Sequence, residues 1–231
     1  MQLRIRAAAA FPLSGLDWRR KVALGGAIGL LLELFFVGFA YLVSEEAAFG
    51  VAPLVVVLNL PALGYILQAY RGTLRWEAGA LPEWEDWSAL LFGGLAGFGV
   101  FLAYALLPLL LLLVGLGLLV QGGVLLFLGM VVMVLGVLAG LVTLFFLPMA
   151  LARYLCSGRL ERAFHPGALW AGINEVLVEY VAAYVLSAGS YVVAGLLAVI
   201  PYLGPLVWPF LWFYLVLGQA HLFGEICAKA S

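Results

Sequence analysis

The sequence predicts an all-α, polytopic helical membrane protein with about six transmembrane helices. Three observations carry that prediction. The 231 residues are 66% hydrophobic and 10% charged, with a mean hydropathy of +1.17, whereas soluble domains are about half apolar and about a quarter charged. The uncharged stretch from Trp87 to Ala152 covers 66 residues. As one helix it would run for about 100 Å against a hydrocarbon core of about 30 Å, so it must fold back. Finally, the basic residues segregate to alternate loops.

Taken in chain order, residues 1–21 read as a cytoplasmic, interfacial segment. Arg4, Arg6 and the run Ala7 to Leu13 faintly imitate a signal peptide. Pro12 interrupts the short apolar core, however, and Trp18-Arg19-Arg20-Lys21 stands where a cleavage region belongs. The transmembrane domain is predicted over 22–224, with spans at about 22–43, 51–70, 89–120, 124–152, 176–200 and 206–224, followed by a cytoplasmic tail, 225–231. Span 89–120 is long for one perpendicular helix, so it tilts, kinks at Pro108 or begins in the interface.

Lys and Arg in short loops stay on the cytoplasmic side. With six spans, one side receives Arg4, Arg6, Arg19, Arg20 and Lys21, then Arg71 and Arg75, then Arg153, Arg159 and Arg162, then Lys229, which is all 11 basic residues. The other side carries only Glu45 and Glu46. Both termini are therefore predicted to be cytoplasmic. The two large inner segments hint at a parallel internal repeat: Leu60-Pro61 leads to Tyr70-Arg71, and Leu147-Pro148 leads to Cys156 through Arg162. Each then passes through a Pro- and Trp-containing stretch into an outward span.

Several function classes drop out. A net charge of −1 without a basic patch argues against a nucleic-acid partner. Two cysteines, Cys156 and Cys227, make neither a disulfide framework nor a metal site, and both fall on the reducing side. The spans hold no Ser/His/Asp order, no His-Glu-x-x-His and no paired aspartates, so no enzyme activity and no cofactor are expected. The seven prolines in or beside spans either kink helices or free carbonyls for a binding site. The glycines of Gly93-Gly94, Gly97 and Gly99 serve close helix approach.

Three groups of polar residues stand out. Glu33 falls near the bilayer midplane, and Asn59 reaches the same depth on the next span. Desolvation without a cation favours the neutral acid, so Glu33 is expected to be protonated and hydrogen-bonded to Asn59 or to a carbonyl near Pro61. It serves either as interhelical glue or as a coupling site. The second group is the segment Arg71 to Ser88, with Leu81-Pro82-Glu83-Trp84-Glu85-Asp86-Trp87 before a membrane entry. Pro82 suits a first helical turn, the acids face its positive end, and Trp84 and Trp87 share a face at headgroup level. The plain reading is a capped entry helix. The sharper one is a docking surface of Arg71, Arg75, Glu83, Trp84, Asp86 and Trp87, with Arg71 or Arg75 pairing the acidic turn. The third group is Glu175 and Glu179, four apart and expected to pair with Arg153, Arg159 or Arg162 at the inner interface. His221 and Glu225, also four apart, read as a satisfied interfacial pair.

Gly64-Tyr65, Arg71, the Leu-Pro-Glu-Trp-x-Asp-Trp string and the paired Gly93-Gly94 resemble an uncharacterised prokaryotic family of integral membrane proteins containing a domain of unknown function. The resemblance runs from about residue 15 to the end, with Glu85 at the variable position of the string. It implies a helical protein of the cytoplasmic membrane and brings no activity, cofactor or catalytic residue. The expected role is a non-enzymatic scaffold or accessory subunit, touching lipid and other membrane proteins or a second copy of itself. The alternative is a transporter or channel for a small molecule, lipid or ion, with Glu33 and Asn59 as its site.

Overall fold

The computed structural model describes residues 2–77, 79–201 and 203–230, with the backbone alone for 2–5 and 45–49. The Arg4, Glu45 and Glu46 side chains therefore lie outside the described residues. Among the described residues eight α-helices follow one another: α1 Gln2–Ala10, α2 Trp18–Leu42, α3 Glu45–Leu74, α4 Trp87–Gln121, α5 Gly123–Ser157, α6 Pro166–Glu175, α7 Leu177–Ala198 and α8 Leu203–Cys227. Among the described residues there are no strands. Six stretches are long and apolar enough to cross a membrane, one each in α2, α3, α4, α5, α7 and α8. They match the six predicted spans, with α5 continuing to Ser157, past its predicted end at 152.

The uncharged stretch folds back at Gln121-Gly122-Gly123, where both glycines take positive φ, 71° and 57°. That conformation is routine only for glycine. Pro108 lies inside α4 without ending it, so the long span is one helix beginning at Trp87. At about 1.5 Å per residue, the 35 residues of each arm measure about 52 Å. Between Pro108 and Met149 the buried positions are the seam glycines Gly115, Gly129 and Gly136, each seated against a side chain or backbone of the other arm. The outward leucines, valines and phenylalanines of this hairpin are exposed, as suits a surface that lipid covers.

The rest of the bundle centres on α3, which packs against α2, α4 and α8. Small residues set these approaches. A Cβ on Gly64 would collide with the Leu90 carbonyl, and one on Gly94 with the Leu60 carbonyl, so α3 and α4 touch backbone to backbone. Across the α2–α8 interface, Phe213 fills the notch at Gly25 and Phe210 the one at Gly26. Two buried clusters result. One gathers Tyr65, Ile66, Leu90, Phe213 and Leu217, and the other gathers Tyr70, Met149, Ile173, Tyr180 and Phe223. The N-terminal segment is folded onto the bundle: the Tyr214 hydroxyl donates to the Ala9 carbonyl at 2.5 Å, and Phe11 is buried. Trp18 through Lys21, predicted to lie before the first span, form the first turn of α2.

Candidate functional site

α2 and α3 form an antiparallel hairpin with only Val43 and Ser44 between them. Glu33 falls in the middle third of α2, and Asn59 in the middle third of the α3 crossing stretch, Gly50–Leu74. Both line one cavity of about 530 Å³. Phe98 and Phe101 of α4, Leu147 and Leu151 of α5, and Trp208 and Trp212 of α8 complete much of its wall. Apart from Glu33 and Asn59, the lining side chains carry no carboxyl, amide or basic group.

The predicted bond between Glu33 and Asn59 is not made, a correction to the expected glue. The Asn59 Nδ2 donates to the Val55 carbonyl, one turn back, at 3.4 Å. The physical reason is local: a mid-helix asparagine can place its amide on a carbonyl of its own helix, one turn back. Glu33 has no ion-pair or hydrogen-bond partner among the described residues. The two residues line one shared space without bonding each other.

The acidic-aromatic segment also departs from expectation. Residues 81–86 are not a helical turn; α4 starts at Trp87, with Asp86 as its N-cap. The Asp86 Oδ1 accepts from the Ala89 amide at 2.9 Å and from the Ser88 hydroxyl at 2.7 Å. These bonds, the Ala89 amide foremost, hold its carboxyl below the usual carboxylate range. Remaining extended lets the segment cross α2 and α3 as a strap. Lys21 Nζ donates to the Leu81 carbonyl at 2.9 Å and pairs with the Glu83 carboxylate. The Tyr65 hydroxyl donates to the Pro82 carbonyl at 2.9 Å, and Trp84 Nε1 to the Lys21 carbonyl at 3.2 Å. The Trp84 ring stacks on Tyr65 with centroids 4.1 Å apart and lies 5.6 Å from Trp87.

The cation that meets the acidic strap is therefore Lys21, and not Arg71 or Arg75, which are exposed on α3 and just after it. Antiparallel packing explains this, since the first turn of α2 lies beside the C-terminal end of α3. Of the predicted docking surface, Glu83, Trp84 and Asp86 are engaged within the chain. Trp87 remains exposed at 47%.

At the start of α7, Glu179 pairs with Lys229, with Nζ 2.6 Å from Oε1, and before α6 Arg159 pairs with Glu161 at 3.0 Å. The expected pairing of Glu175 or Glu179 with Arg153, Arg159 or Arg162 is thus corrected. Val176 breaks the chain between α6 and α7, so the two glutamates do not share one continuous helix, and the tail after α8 delivers Lys229. Glu175, Glu179 and Lys229 border a hollow of about 560 Å³. Arg153 instead lies against Gly172, and Arg162 is exposed.

His221 is satisfied on all sides, as expected. Its Nδ1 is 3.1 Å from Thr73 Oγ1, its Nε2 is 3.4 Å from Glu225 Oε1, and its ring stacks on Phe11 at 4.2 Å. Cys156 is exposed and Cys227 is buried, and neither forms a disulfide among the described residues. Among the described residues no group of three His, Cys, Asp or Glu converges as a metal site. Lys21, Tyr65, Trp208 and Trp212 have roles that nothing in the local sequence announces. The spacing of four between the two tryptophans is the one available signal.

A bundle of six long apolar helices with a cavity walled by five of them defines a multi-pass, all-α membrane protein. Residues 48–203 match the family described as a protein of unknown function, DUF4013, and the chain belongs to that family. The match takes in Asn59, the strap and the α4–α5 hairpin, while Glu33, Trp208 and Trp212 lie outside it. No curated protein and no solved structure matches the chain.

Proposed function

We propose that this protein is a non-enzymatic membrane protein of the cytoplasmic membrane, with both termini inside, that binds a small amphiphilic molecule in the Glu33/Asn59 cavity and transports it. The observation that supports this reading is the convergence of two polar mid-helix residues, from separate helices, on one 530 Å³ space. Ligand pockets have this size and character: mostly apolar walls with a few polar groups that orient the occupant. An ionisable residue inside a span is costly and is a functional hypothesis by default. The accessory-subunit reading is less well supported, because Glu83 and Trp84, two of its six expected contacts, are engaged by Lys21 and Tyr65, although Arg71, Arg75 and Trp87 stay exposed.

The test is mild-detergent purification followed by native mass spectrometry of wild type and of Ala62→Phe, which fills the cavity from the α3 wall. A bound small molecule that is stoichiometric in wild type and lost in the variant is the expected result. A stoichiometric protein partner with an empty cavity would overturn the reading in favour of the accessory subunit.

A further inference from the structure

Resting on the reading of that cavity as a ligand site, we infer the class of its occupant: a lipophilic organic cation, its charged centre at Glu33 and its apolar body against the aromatic wall. The wall offers one carboxyl group and no basic side chain. An anionic ligand would meet Glu33 with nothing to neutralise it. The neutral-glue alternative needs a bond from Glu33 to Asn59 or to a carbonyl near Pro61, and neither is made among the described residues; the Asn59 amide nitrogen donates to Val55 instead. Its oxygen is the atom left to accept from a ligand.

The aromatic residues favour the same class. Trp208 and Trp212 stand four apart on one face of α8, and Phe98 and Phe101 contribute from α4. The faces of such rings carry negative potential and attract cations, most strongly where water is excluded. A bare metal ion fits poorly, because calcium takes six to eight oxygen ligands and magnesium takes six. Here one carboxyl and one carboxamide are the only side-chain oxygens on the wall. Diffuse charge on an apolar body suits a site made of rings and a single carboxylate.

The experiment compares two probes of similar apolar body on the purified full chain: tetraphenylphosphonium, a cation, and triphenylphosphine oxide, which is neutral. Binding is followed by equilibrium dialysis and by quenching of tryptophan fluorescence. The expected result is saturable binding of the cation at least about tenfold tighter than the oxide. Glu33→Gln removes that preference, and Glu33→Asp keeps most of it. Trp212→Leu, at a partly exposed position that tolerates change, weakens the cation more than the oxide and serves if Glu33→Gln does not fold. Equal binding of both probes, unchanged in Glu33→Gln, overturns the cation assignment while leaving the ligand site intact. Saturable binding of neither overturns both.

Discussion

The Tyr184 hydroxyl donates a 2.6 Å hydrogen bond to the Leu144 carbonyl, the acceptor that Pro148, four residues on, leaves without an amide. A second tyrosine completes the repair. The Tyr180 hydroxyl donates to the Phe145 carbonyl at 2.8 Å and accepts from the Met149 amide at 3.3 Å, standing between two groups that would otherwise bond each other. From α3, the Tyr70 hydroxyl donates to the Pro148 carbonyl at 2.8 Å. The carbonyls opened by Pro148 are therefore satisfied within the protein, by side chains that also tie α5 to α7 and α3. This proline break is a packing joint and leaves no carbonyl for a ligand.

Tyr184→Phe strands the Leu144 carbonyl, and Tyr180→Phe removes the hydroxyl that bridges the Phe145 carbonyl and the Met149 amide. Hydrogen bonds between membrane helices average about 0.6 kcal/mol, and stranded buried groups cost about 1–3 kcal/mol. A loss of about 1 kcal/mol for Tyr184→Phe is expected, and more for Tyr180→Phe, which removes a donor and an acceptor. Chemical unfolding in mixed micelles measures both; equal stability of wild type and the double variant would refute the joint.

Gly64→Ala and Gly94→Ala should each destabilise by about 1–3 kcal/mol, because the new methyl meets backbone that cannot turn aside. Gly99, on the same helix as Gly94, has nothing within 4 Å of its Cβ position. Gly99→Ala is expected to be neutral or to stabilise by up to about 1 kcal/mol. The same unfolding assay reads all three variants, and an equal effect at Gly94 and Gly99 would contradict backbone contact between α3 and α4.

The strap makes an asymmetric prediction. The Lys21 side chain is 7% exposed and Glu83 is 60% exposed. Removing Glu83 leaves a buried ammonium short of its counter-charge, whereas removing Lys21 leaves a carboxylate that water still solvates. Glu83→Ala should therefore cost about 1–2 kcal/mol and Lys21→Met less than about 1 kcal/mol. Protease cleavage within residues 75–86 provides the second readout, with the faster cutting expected in Glu83→Ala.

Asp86 gives a pH dependence with a definite sign. Its carboxyl titrates below the usual range in the folded chain because the charged form accepts from Ala89 and Ser88. The stability it contributes is thus present above the unfolded value, about 3.9, and is lost as pH falls through the folded value. Asp86→Ala should melt at a lower temperature than wild type at pH 7. The gap between the two melting temperatures should close on acidification below pH 4 and stay open if the cap is not made by the charged carboxylate.

Hydropathy, the length of the uncharged stretch and the placement of basic residues made the helical class, the six spans and the turn at Gln121-Gly122-Gly123 legible in the sequence. These features follow from the free energy of placing groups in hydrocarbon, which each segment meets on its own. Depth alone also suggested Glu33 and Asn59 as a pair, and both line one cavity. Partnership was decided only by tertiary structure. Lys21 meets Glu83, Lys229 meets Glu179, Tyr184 meets Leu144, and Trp208 and Trp212 join the Glu33 cavity because helices far apart in sequence pack side by side. Helices that are apolar on every side carry no periodic stripe to announce which face meets which neighbour. The choice is made by small residues such as Gly25, Gly64 and Gly94, which let particular backbones and rings come close and so determine which polar groups meet.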